Sequence, residues 1–260
     1  MSAEAADVRF EREAIAFSVC TLVTDWAQYE AMQGSFRDRG FVEPATEFLY
    51  LDNSGGNRFD GFSGVALFLG TAKGRHVIIC HQDVRLIGDD VEALRRRLAE
   101  LDSLDPAWAI AGNAGGVDAG RLAIRISDPH GADVKLGPFP ARVRSLDENF
   151  VVVRRSARLA VSRDLSGFHL YASDLCVTAD ALGYSAYVID FHLQHLSGGT
   201  ADAGYALGVR ALVAKYQRAL RPRWVVTPTS RIFLSASRWL NAIMNTTLGR
   251  SLARRWARLG

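Results

Sequence analysis

The chain has 260 residues, of which 48% are hydrophobic, so it can bury a substantial core and fold as a globular protein. No run approaches the roughly 18 to 20 consecutive apolar residues that a membrane-spanning helix requires, and the acidic start MSAEAADVRFERE is unlike a secretory signal. The three cysteines are widely spaced and form no CxxC pair, which disfavours a disulfide framework and a zinc ribbon. We therefore expect a cytoplasmic protein with reduced cysteines.

The net charge of +3 conceals an uneven distribution. Residues 218–260 carry nine arginines and no acid, whereas residues 1–217 carry 22 basic and 28 acidic residues. Apolar residues in the C-terminal segment recur close to helical spacing, so a helix there would have one apolar and one cationic face. Such a segment can lie peripherally on an anionic membrane surface at the inner membrane face. The alternative is a helix pair that packs on its own domain with its arginines in solvent.

The first third of the chain alternates strand and helix patterns. Strands are predicted at 17–23, 47–52 and 76–80. Helices are predicted after Asp25, a candidate N-cap, over 59–72, and after 88–90, where apolar residues from Val91 to Leu101 fall on one face. This alternation is typical of a parallel sheet with helical crossovers.

The later elements complete one α/β domain. The middle of the chain predicts short β-rich pieces, with DPHGADVKLGPFP (128–140) as a long irregular loop. A helix is predicted from near Ser173 to a C-cap at Gly183, and a last strand over 186–191. We therefore predict a domain over 1–217 and a basic helical extension over 218–260.

Polar residues stand at the carboxyl ends of the predicted strands, where ligands bind in open parallel sheets. They are Thr24, Asp25, Asp52, His81, Asp83, His192 and His195. Each has a purely structural alternative: Asp25 can cap a helix, Asp52 can form an Asx turn, and a histidine can satisfy a local hydrogen bond. Their position as a set nevertheless indicates a binding edge.

A divalent cation is one ligand that this set could hold. Mg²⁺ and Mn²⁺ take carboxylate and phosphate oxygens, often with an imidazole in the case of manganese. One aspartate and one histidine suffice where a diphosphate supplies further ligands. Asp83 and His195 are the pair that we expect to bind the metal.

Four segments resemble the GT-A type glycosyltransferases, in particular the family-2-like group of small bacterial enzymes. SVCTLVTD resembles the first nucleotide-binding strand, FLYLDNSGGN the strand that ends in a base-contacting aspartate, and VIICHQDV the position of the Asp-x-Asp motif. FHLYASDLCVTADALGYSAYVIDFHLQHLSGG is similar to the acceptor-side helix with the strand and histidine that follow it. The resemblance covers roughly residues 15–200 and implies a GT-A-like, Rossmann-type mixed sheet flanked by helices.

The resemblance also implies roles for individual residues. Asp52, with Thr21 and Asp25 as further candidates, would bind the base and ribose. Asp83 would be the last acid of the Asp-x-Asp motif and His195 the C-terminal histidine, both as metal ligands. Asp174 would be the general base of an inverting displacement. Asp147 and Glu148 resemble the segment that lines the donor sugar and acceptor.

Two departures from the family pattern leave alternatives open. His81 replaces the first acid of Asp-x-Asp, so it could be a second metal ligand, a hydrogen-bond donor to phosphate, or a residue without a role in binding. Tyr171 and Ala172 stand where the family often carries Glu-Asp, about half a turn before Asp174. Asp147 and Glu148 are therefore alternative bases.

The expected function is metal-dependent transfer of a sugar from a UDP-sugar to a glycan or lipid-linked acceptor, in surface polysaccharide or glycoconjugate assembly. A nucleotidyltransferase is disfavoured because the first strand lacks a glycine- and lysine- or arginine-rich phosphate loop. A catalytically silent nucleotide-sugar-binding or scaffolding module is the alternative from another class. We do not expect a nucleic-acid partner, because the body is acidic and no nucleic-acid motif is present.

Overall fold

The computed structural model describes residues 15–199 and 203–256. The chain divides into two compact units, one that ends at Gly208 and one that begins at Val209. A domain boundary at residue 217, where the charge distribution changes, stays a prediction. Among the described residues, no helix is both long enough and apolar enough to cross a membrane.

The first unit is built from short strands and four complete helices. In chain order, its strands are β1 (Phe17–Val23), β2 (Thr46–Asp52), β3 (His76–Cys80), β4 (Val84–Arg85), β5 (Trp108–Gly112), β6 (Ala114–Asp118), β7 (Arg121–Asp128), β8 (Gly131–Leu136), β9 (Ala141–Val143), β10 (Ser145–Leu146), β11 (Phe150–Arg154), β12 (Ser185–Val188) and β13 (Leu193–His195). Its helices are α1 (Trp26–Asp38), α2 (Gly61–Thr71), α3 (Val91–Leu104) and α4 (Tyr171–Ala181). A further helix, α5 (Ala203–Ala219), runs across the boundary between the units.

Aspartate side chains start three of these helices. Asp25, Asp60 and Asp90 each accept a hydrogen bond from a backbone N–H in the first turn of the helix that follows. These bonds satisfy donors that a helix N-terminus otherwise leaves unpaired. The predicted starts at Asp25 and at Asp90 are confirmed.

The larger sheet has seven strands in the order β2-β1-β3-β11-β5-β12-β9. Strands β2, β1 and β3 are parallel, whereas β11 enters between β3 and β5 and runs antiparallel to both. Every residue of β3, β5 and β12 is buried, which places these strands at the centre of the core. The predicted mixed α/β sheet flanked by helices is confirmed.

The smaller sheet has the order β10-β6-β7-β13-β4, with β8 paired to β7. Strand β8 lies within residues 128–140, so the prediction of a long irregular loop there was wrong. A turn at Asp128 folds the chain back, and Val134 and Leu136 then pair in register with Ile126 and Ile124 of β7. The Gly and Pro residues of this segment mark the turns at its two ends rather than a continuous loop.

Strand pairing brings distant segments of the sequence to one edge. Cys80, the last residue of β3, pairs with Phe150, the first residue of β11, so residues 81–83 and 147–149 lie side by side. In the smaller sheet, His195 of β13 pairs with Val84 of β4, which places His195 beside Asp83. The backbone N–H of Leu196 also donates to the carbonyl oxygen of Asp83 at 3.0 Å.

The second unit contains strands as well as helices. After α5 come β14 (Arg223–Val226) and β15 (Arg231–Leu234), which form an antiparallel hairpin, and then α6 (Arg238–Met244) and α7 (Thr247–Trp256). Sequence analysis predicted only helix here, because the apolar spacing suits a helix. The runs WVV and IFL, separated by the turn residues TPTS, instead have the β-branched and aromatic composition of a hairpin.

Candidate active site at the carboxyl edge of the sheet

A cavity of about 480 Å³ opens at the edge where these segments meet. Much of its polar lining comes from the loop after β3, the segment before β11, and the region around and after β13: His81, Gln82, Asp83, Asp147, Glu148, Asn149, His195 and Ser197. Apolar side chains from β1 and α2, including Leu22, Val65 and Phe68, form part of the wall. The cavity is large enough for a small-molecule ligand.

Three side chains of the cavity form a cluster with metal-ligand chemistry. Each of His81, Asp83 and His195 offers one ligand atom, and these atoms all lie within 4.8 Å of one another. The Nε2 atom of His195 is 3.3 Å from Oδ1 of Asp83. The structure therefore brings together the two residues predicted to bind a metal and adds His81 to them.

The cluster fits a divalent transition metal. Ligand atoms bonded to one ion at about 2.0–2.3 Å lie about 3 to 4.5 Å apart, so only small movements would close this set around an ion. Two imidazole nitrogens and one carboxylate oxygen suit Mn²⁺ better than Mg²⁺, which prefers oxygen ligands. Three protein ligands also leave positions for phosphate oxygens and water.

Tyr171 contacts the His81 ring. The Tyr171 hydroxyl donates to the backbone carbonyl oxygen of Glu148 at 3.2 Å and lies 3.3 Å from Nε2 of His81. In the tautomer with its proton on Nε2, His81 can donate to the Tyr171 oxygen, and Nδ1 then keeps the lone pair that a cation needs.

The electrostatics of the cluster favour the metal-binding protonation states of His81 and Asp83. Burial, together with the positive charge of His195, lowers the pKa of His81, so its imidazole is neutral near pH 7. Burial opposes ionisation of Asp83, but hydrogen bonds from His195 and Ser197 outweigh it and hold the pKa of Asp83 well below its usual range. Neutral imidazole and ionised carboxylate are the forms that bind metals.

Glu148 is a carboxyl group with a strongly perturbed pKa. Burial, and secondarily the nearby negative charge of Asp147, raises the pKa of Glu148 from 4.5 to about 8. Its Oε1 atom accepts a hydrogen bond of 2.7 Å from the backbone N–H of Leu170, at the start of α4. Leu170 has a left-handed backbone (φ 71°), and no side chain of α4 caps this helix itself. Glu148 therefore both lines the cavity and supports the α4 N-terminus.

The raised pKa of Glu148 predicts how the stability of the protein changes with pH. In the unfolded chain Glu148 ionises near its ordinary pKa of 4.5, whereas in the folded protein it stays protonated up to about pH 8, so ionisation favours unfolding across this range. Glu148→Gln removes this cost while its Oε1 still accepts from Leu170. We expect Glu148→Gln to raise the melting temperature relative to the wild type at pH 8 and to change it little near pH 4.5, measured by thermal unfolding. A constant difference at both pH values would contradict the raised pKa.

Gln82 connects the loop after β1 to the loop after β3. Its Oε1 atom accepts from the backbone N–H groups of Thr24 (2.8 Å) and Asp25 (3.0 Å), and its Nε2 atom donates to Thr24 Oγ1 at 2.7 Å. The loop after β1 is thereby held against the loop that carries His81 and Asp83. Sequence analysis missed Gln82 because nothing local marks an amide as a link between two loops.

Three residues predicted to contact the nucleotide lie outside the cavity lining. Thr21 is buried inside β1, Asp25 caps α1, and Asp52 accepts from the backbone N–H and the hydroxyl of Ser54 in an Asx turn. For Asp25 and Asp52 these are the structural alternatives that the sequence left open. Thr24 and Asn53, their sequence neighbours, line the cavity instead.

The structure does not bring Asp174, the predicted general base, to the cavity. Asp174 is fully buried, does not line the cavity, and accepts hydrogen bonds from the backbone N–H (2.6 Å) and the hydroxyl (2.7 Å) of Ser162. Helix α4 begins at Tyr171, two residues earlier than predicted, and Asp174 lies in its first turn. Asp147 and Glu148, the alternatives, do line the cavity.

A relative in Fuscovulum blasticum decides the family. No protein-family model matches the sequence. A protein described as ATP synthase subunits region ORF 6 is 39% identical over 238 residues, which cover 89% of this chain and 95% of that protein. The chain belongs to the same family as this protein. The relative's name states no activity, so the family carries no function with it.

Solved structures show that this chain has the GT-A fold. GalNAc-T7, solved with UDP, GalNAc and Mn²⁺, matches with a TM-score of 0.52 and 11% identity over 78% of this chain. S. aureus TarS 1-349, solved in complex with UDP, matches with a TM-score of 0.51 and 12% identity, again over 78% of this chain. The chain spans 48% of the first protein and 66% of the second. The GT-A fold predicted from the sequence is confirmed.

Proposed function

We propose that this protein transfers a sugar from a nucleoside diphosphate sugar, most suitably a UDP-sugar, to a hydroxyl group of a glycan or lipid-linked acceptor. The observation that carries the proposal is the joint presence, in one cavity, of the His81, Asp83 and His195 cluster and the carboxyl pair Asp147 and Glu148. A cation site beside a basic carboxyl is what displacement of a diphosphate by a hydroxyl requires. The fold is also that of proteins solved with UDP.

In this proposal Glu148 is the general base. Its carboxylate takes the proton of the acceptor hydroxyl while the hydroxyl oxygen attacks the anomeric carbon. The bond between that carbon and the diphosphate oxygen breaks, and the nucleoside diphosphate leaves with the electron pair. One displacement inverts the anomeric centre. A pKa of about 8 makes Glu148 a stronger base than an ordinary carboxylate, and Asp147 sustains that pKa by its negative charge.

His81, Asp83 and His195 would hold Mn²⁺ or Mg²⁺, with Mn²⁺ favoured by the two imidazoles. When bound, the ion would offset the negative charge of the departing diphosphate. The Tyr171 oxygen can accept from His81 in the tautomer that can bind a cation, and Ser197 stays within 3.1 Å of His195 Nε2. Gln82 would hold the nucleotide side of the cavity in place relative to this cluster.

A lipid-linked acceptor would lie in a membrane, and the arginines of residues 218–260 would supply a counter-charge for an anionic membrane face. The family-2-like resemblance suits surface polysaccharide or glycoconjugate assembly.

Isothermal titration with UDP, GDP and CDP, each with and without Mn²⁺, tests the donor site. We expect one nucleoside diphosphate, UDP, to bind in a Mn²⁺-dependent manner, because the phosphates share the cation with the cluster. Asp83→Asn should weaken that binding roughly tenfold or more, since it removes the only anionic ligand of the cluster. Asp180→Asn is the matched control, because Asp180 is an exposed carboxylate of α4 outside the cavity lining.

The titration has outcomes that support or refute the donor site and the metal site. Mn²⁺-dependent UDP binding that Asp83→Asn weakens and Asp180→Asn does not would support transfer from a UDP-sugar. If a folded wild-type protein binds none of the three nucleotides, the transferase proposal fails and the scaffolding alternative replaces it. Equal binding by wild type and Asp83→Asn would refute the assignment of the metal site.

A further inference from the structure

The second unit of the chain has an extreme charge composition. From Val209 to Gly260 there are ten arginines, one lysine and no aspartate or glutamate. The last acidic residue of the chain, Asp202, precedes this unit. No carboxylate within the unit can therefore neutralise its cationic side chains, and an anionic partner is the natural counter-charge.

The hairpin of this unit presents apolar side chains outward. Antiparallel pairing puts Val225 opposite Ile232 on one face, together with Leu234, and these side chains are exposed. The opposite face carries Trp224 against Phe233, with ring centroids 5.2 Å apart, and Phe233 is buried. The unit thus has a small core of its own, and a second apolar face remains in solvent.

Helix α6 adds a second exposed apolar group. Trp239, Leu240 and Ile243 lie at spacings of three and four, on one side of the helix, and Trp239 is 81% exposed. Leu248 of α7 is 77% exposed. Large apolar side chains exposed to this degree on neighbouring elements are uncommon on a soluble surface and mark interaction sites.

Hydrogen bonds fix α6 to the hairpin, so these side chains are held in place. The Asn245 side chain accepts from the backbone N–H of Phe233 and donates to its carbonyl oxygen, both at 2.9 Å. Asn241 donates to the carbonyl oxygen of Ser235 at 2.9 Å. Because these side chains are already held in place, binding costs less conformational entropy here than it would for a flexible peptide.

We propose that the exposed apolar surface of α6, formed by Trp239, Leu240 and Ile243, inserts into the interfacial layer of an anionic phospholipid bilayer. Arg238 belongs to the same helix, Arg223 and Arg231 belong to the hairpin that hydrogen bonds tie to it, and these arginines would pair with lipid phosphates. A tryptophan beside arginines is typical of the headgroup region, where the ring is partly apolar and the N–H stays hydrated.

A bilayer suits this surface better than a nucleic acid does. Nucleic-acid sites rely mainly on cationic side chains with polar or stacking partners, and a group of exposed Val, Ile and Leu side chains adds little to phosphate contacts. Here most of the exposed large apolar side chains are aliphatic. Phosphate contacts would leave these side chains in water, whereas insertion into a bilayer would bury them.

Vesicle sedimentation of the full chain tests the proposal. Vesicles of phosphatidylcholine alone are compared with vesicles that also contain phosphatidylglycerol, at low and high salt. We expect binding to the anionic vesicles to be stronger by about tenfold or more and to weaken with salt. Trp239→Ala combined with Ile243→Ala should lower binding about tenfold or more, because it removes inserted apolar surface. Leu104→Ala with Leu122→Ala, exposed in the first unit, is the matched control.

Fluorescence identifies the inserted residue. Brominated lipids should quench part of the tryptophan emission of the wild type, and Trp239→Phe should remove that part. Absence of quenching, equal binding to neutral and anionic vesicles, or unchanged binding by the Trp239/Ile243 variant would each overturn the proposal. Displacement of the protein from vesicles by RNA together with no quenching would indicate a nucleic-acid surface. The experiment needs no nucleotide, so its outcome is independent of the transferase proposal.

Discussion

Glu148→Gln is expected to slow sugar transfer by roughly 10²- to 10⁴-fold, which is what a positioned general base contributes. The substitution keeps the size of the side chain and the acceptor atom for the Leu170 N–H, so the cavity keeps its shape. Its amide cannot take a proton from the acceptor hydroxyl. Release of UDP from a panel of UDP-sugars, with water or screened acceptors, measures the effect, and UDP affinity should stay within about twofold.

The pH dependence of the rate tests the same assignment without removing the base. Glu148 must ionise to act, so activity should rise with pH through a pKa near 8. Asp147→Asn removes a negative charge that disfavours ionisation of Glu148, so the pKa should fall and the rising limb should move to lower pH. If the transfer rate of Asp147→Asn rises at the same pH as that of the wild type, or if Glu148→Gln transfers sugar at the wild-type rate, then Glu148 is not the general base.

Asp174→Asn separates the two candidate bases. Asp174 holds the loop at Ser162 and does not reach the cavity, so this variant should lose stability while each folded molecule keeps its transfer rate. A rate loss as large as that of Glu148→Gln, in fully folded protein, would restore Asp174 as the base.

The fold could be predicted largely because its first half is built from local units. Strand β1 occupies the predicted residues, and the caps at Asp25 and Asp90 are decided by a few neighbouring residues. The antiparallel entry of β11 between β3 and β5 could not be predicted, since it depends on pairing between residues that are 39 to 78 positions apart. Local periodicity carries no information on which strands become neighbours.

The sequence could predict those site residues that lie at the ends of strands. Asp83 and His195 were expected at the same edge and lie 3.3 Å apart, because β4 and β13 pair there. Asp174 does not reach the cavity because it follows Ala172, where the family often carries an acid, by two residues, and two residues turn a side chain by about 200° around a helix. The loop contact of Gln82 and the raised pKa of Glu148 arise from burial and long-range hydrogen bonds, which the sequence does not display.

Asp190→Asn is expected to destabilise the protein by about 2 to 3 kcal/mol, because Asp190 joins elements that are far apart in the sequence. Its side chain, one fifth exposed, accepts from Arg125 of β7 (3.0 Å) and Lys135 of β8 (2.9 Å). Its backbone carbonyl oxygen accepts from Arg97 of α3 at 3.0 Å. Fully buried pairs cost about 3–5 kcal/mol when one partner is lost, and partial exposure reduces that figure.

Urea unfolding at pH 7 and at pH 3 measures this contribution, with Asp118→Asn as the matched control. Asp118 pairs with Arg121 on an exposed hairpin, where solvent screens the pair, so its loss should change the free energy of unfolding little. Burial disfavours the charge of Asp190, but Lys135 and the two arginines outweigh it and lower its pKa below 3.8. The stabilisation is therefore present above pH 3.8 and is lost as pH falls through the folded-state pKa, so the difference from wild type should shrink in acid.

The same variant connects stability to the site. His195 lies at the end of the segment 190–195, which follows β12, and the ion pairs of Asp190 hold the start of this segment. Loosening this anchor should weaken Mn²⁺ binding in folded Asp190→Asn, although Asp190 does not line the cavity. Wild-type Mn²⁺ affinity in the variant, together with the expected loss of stability, would show that pairing of β13 with β4 holds His195 without this ion-pair network.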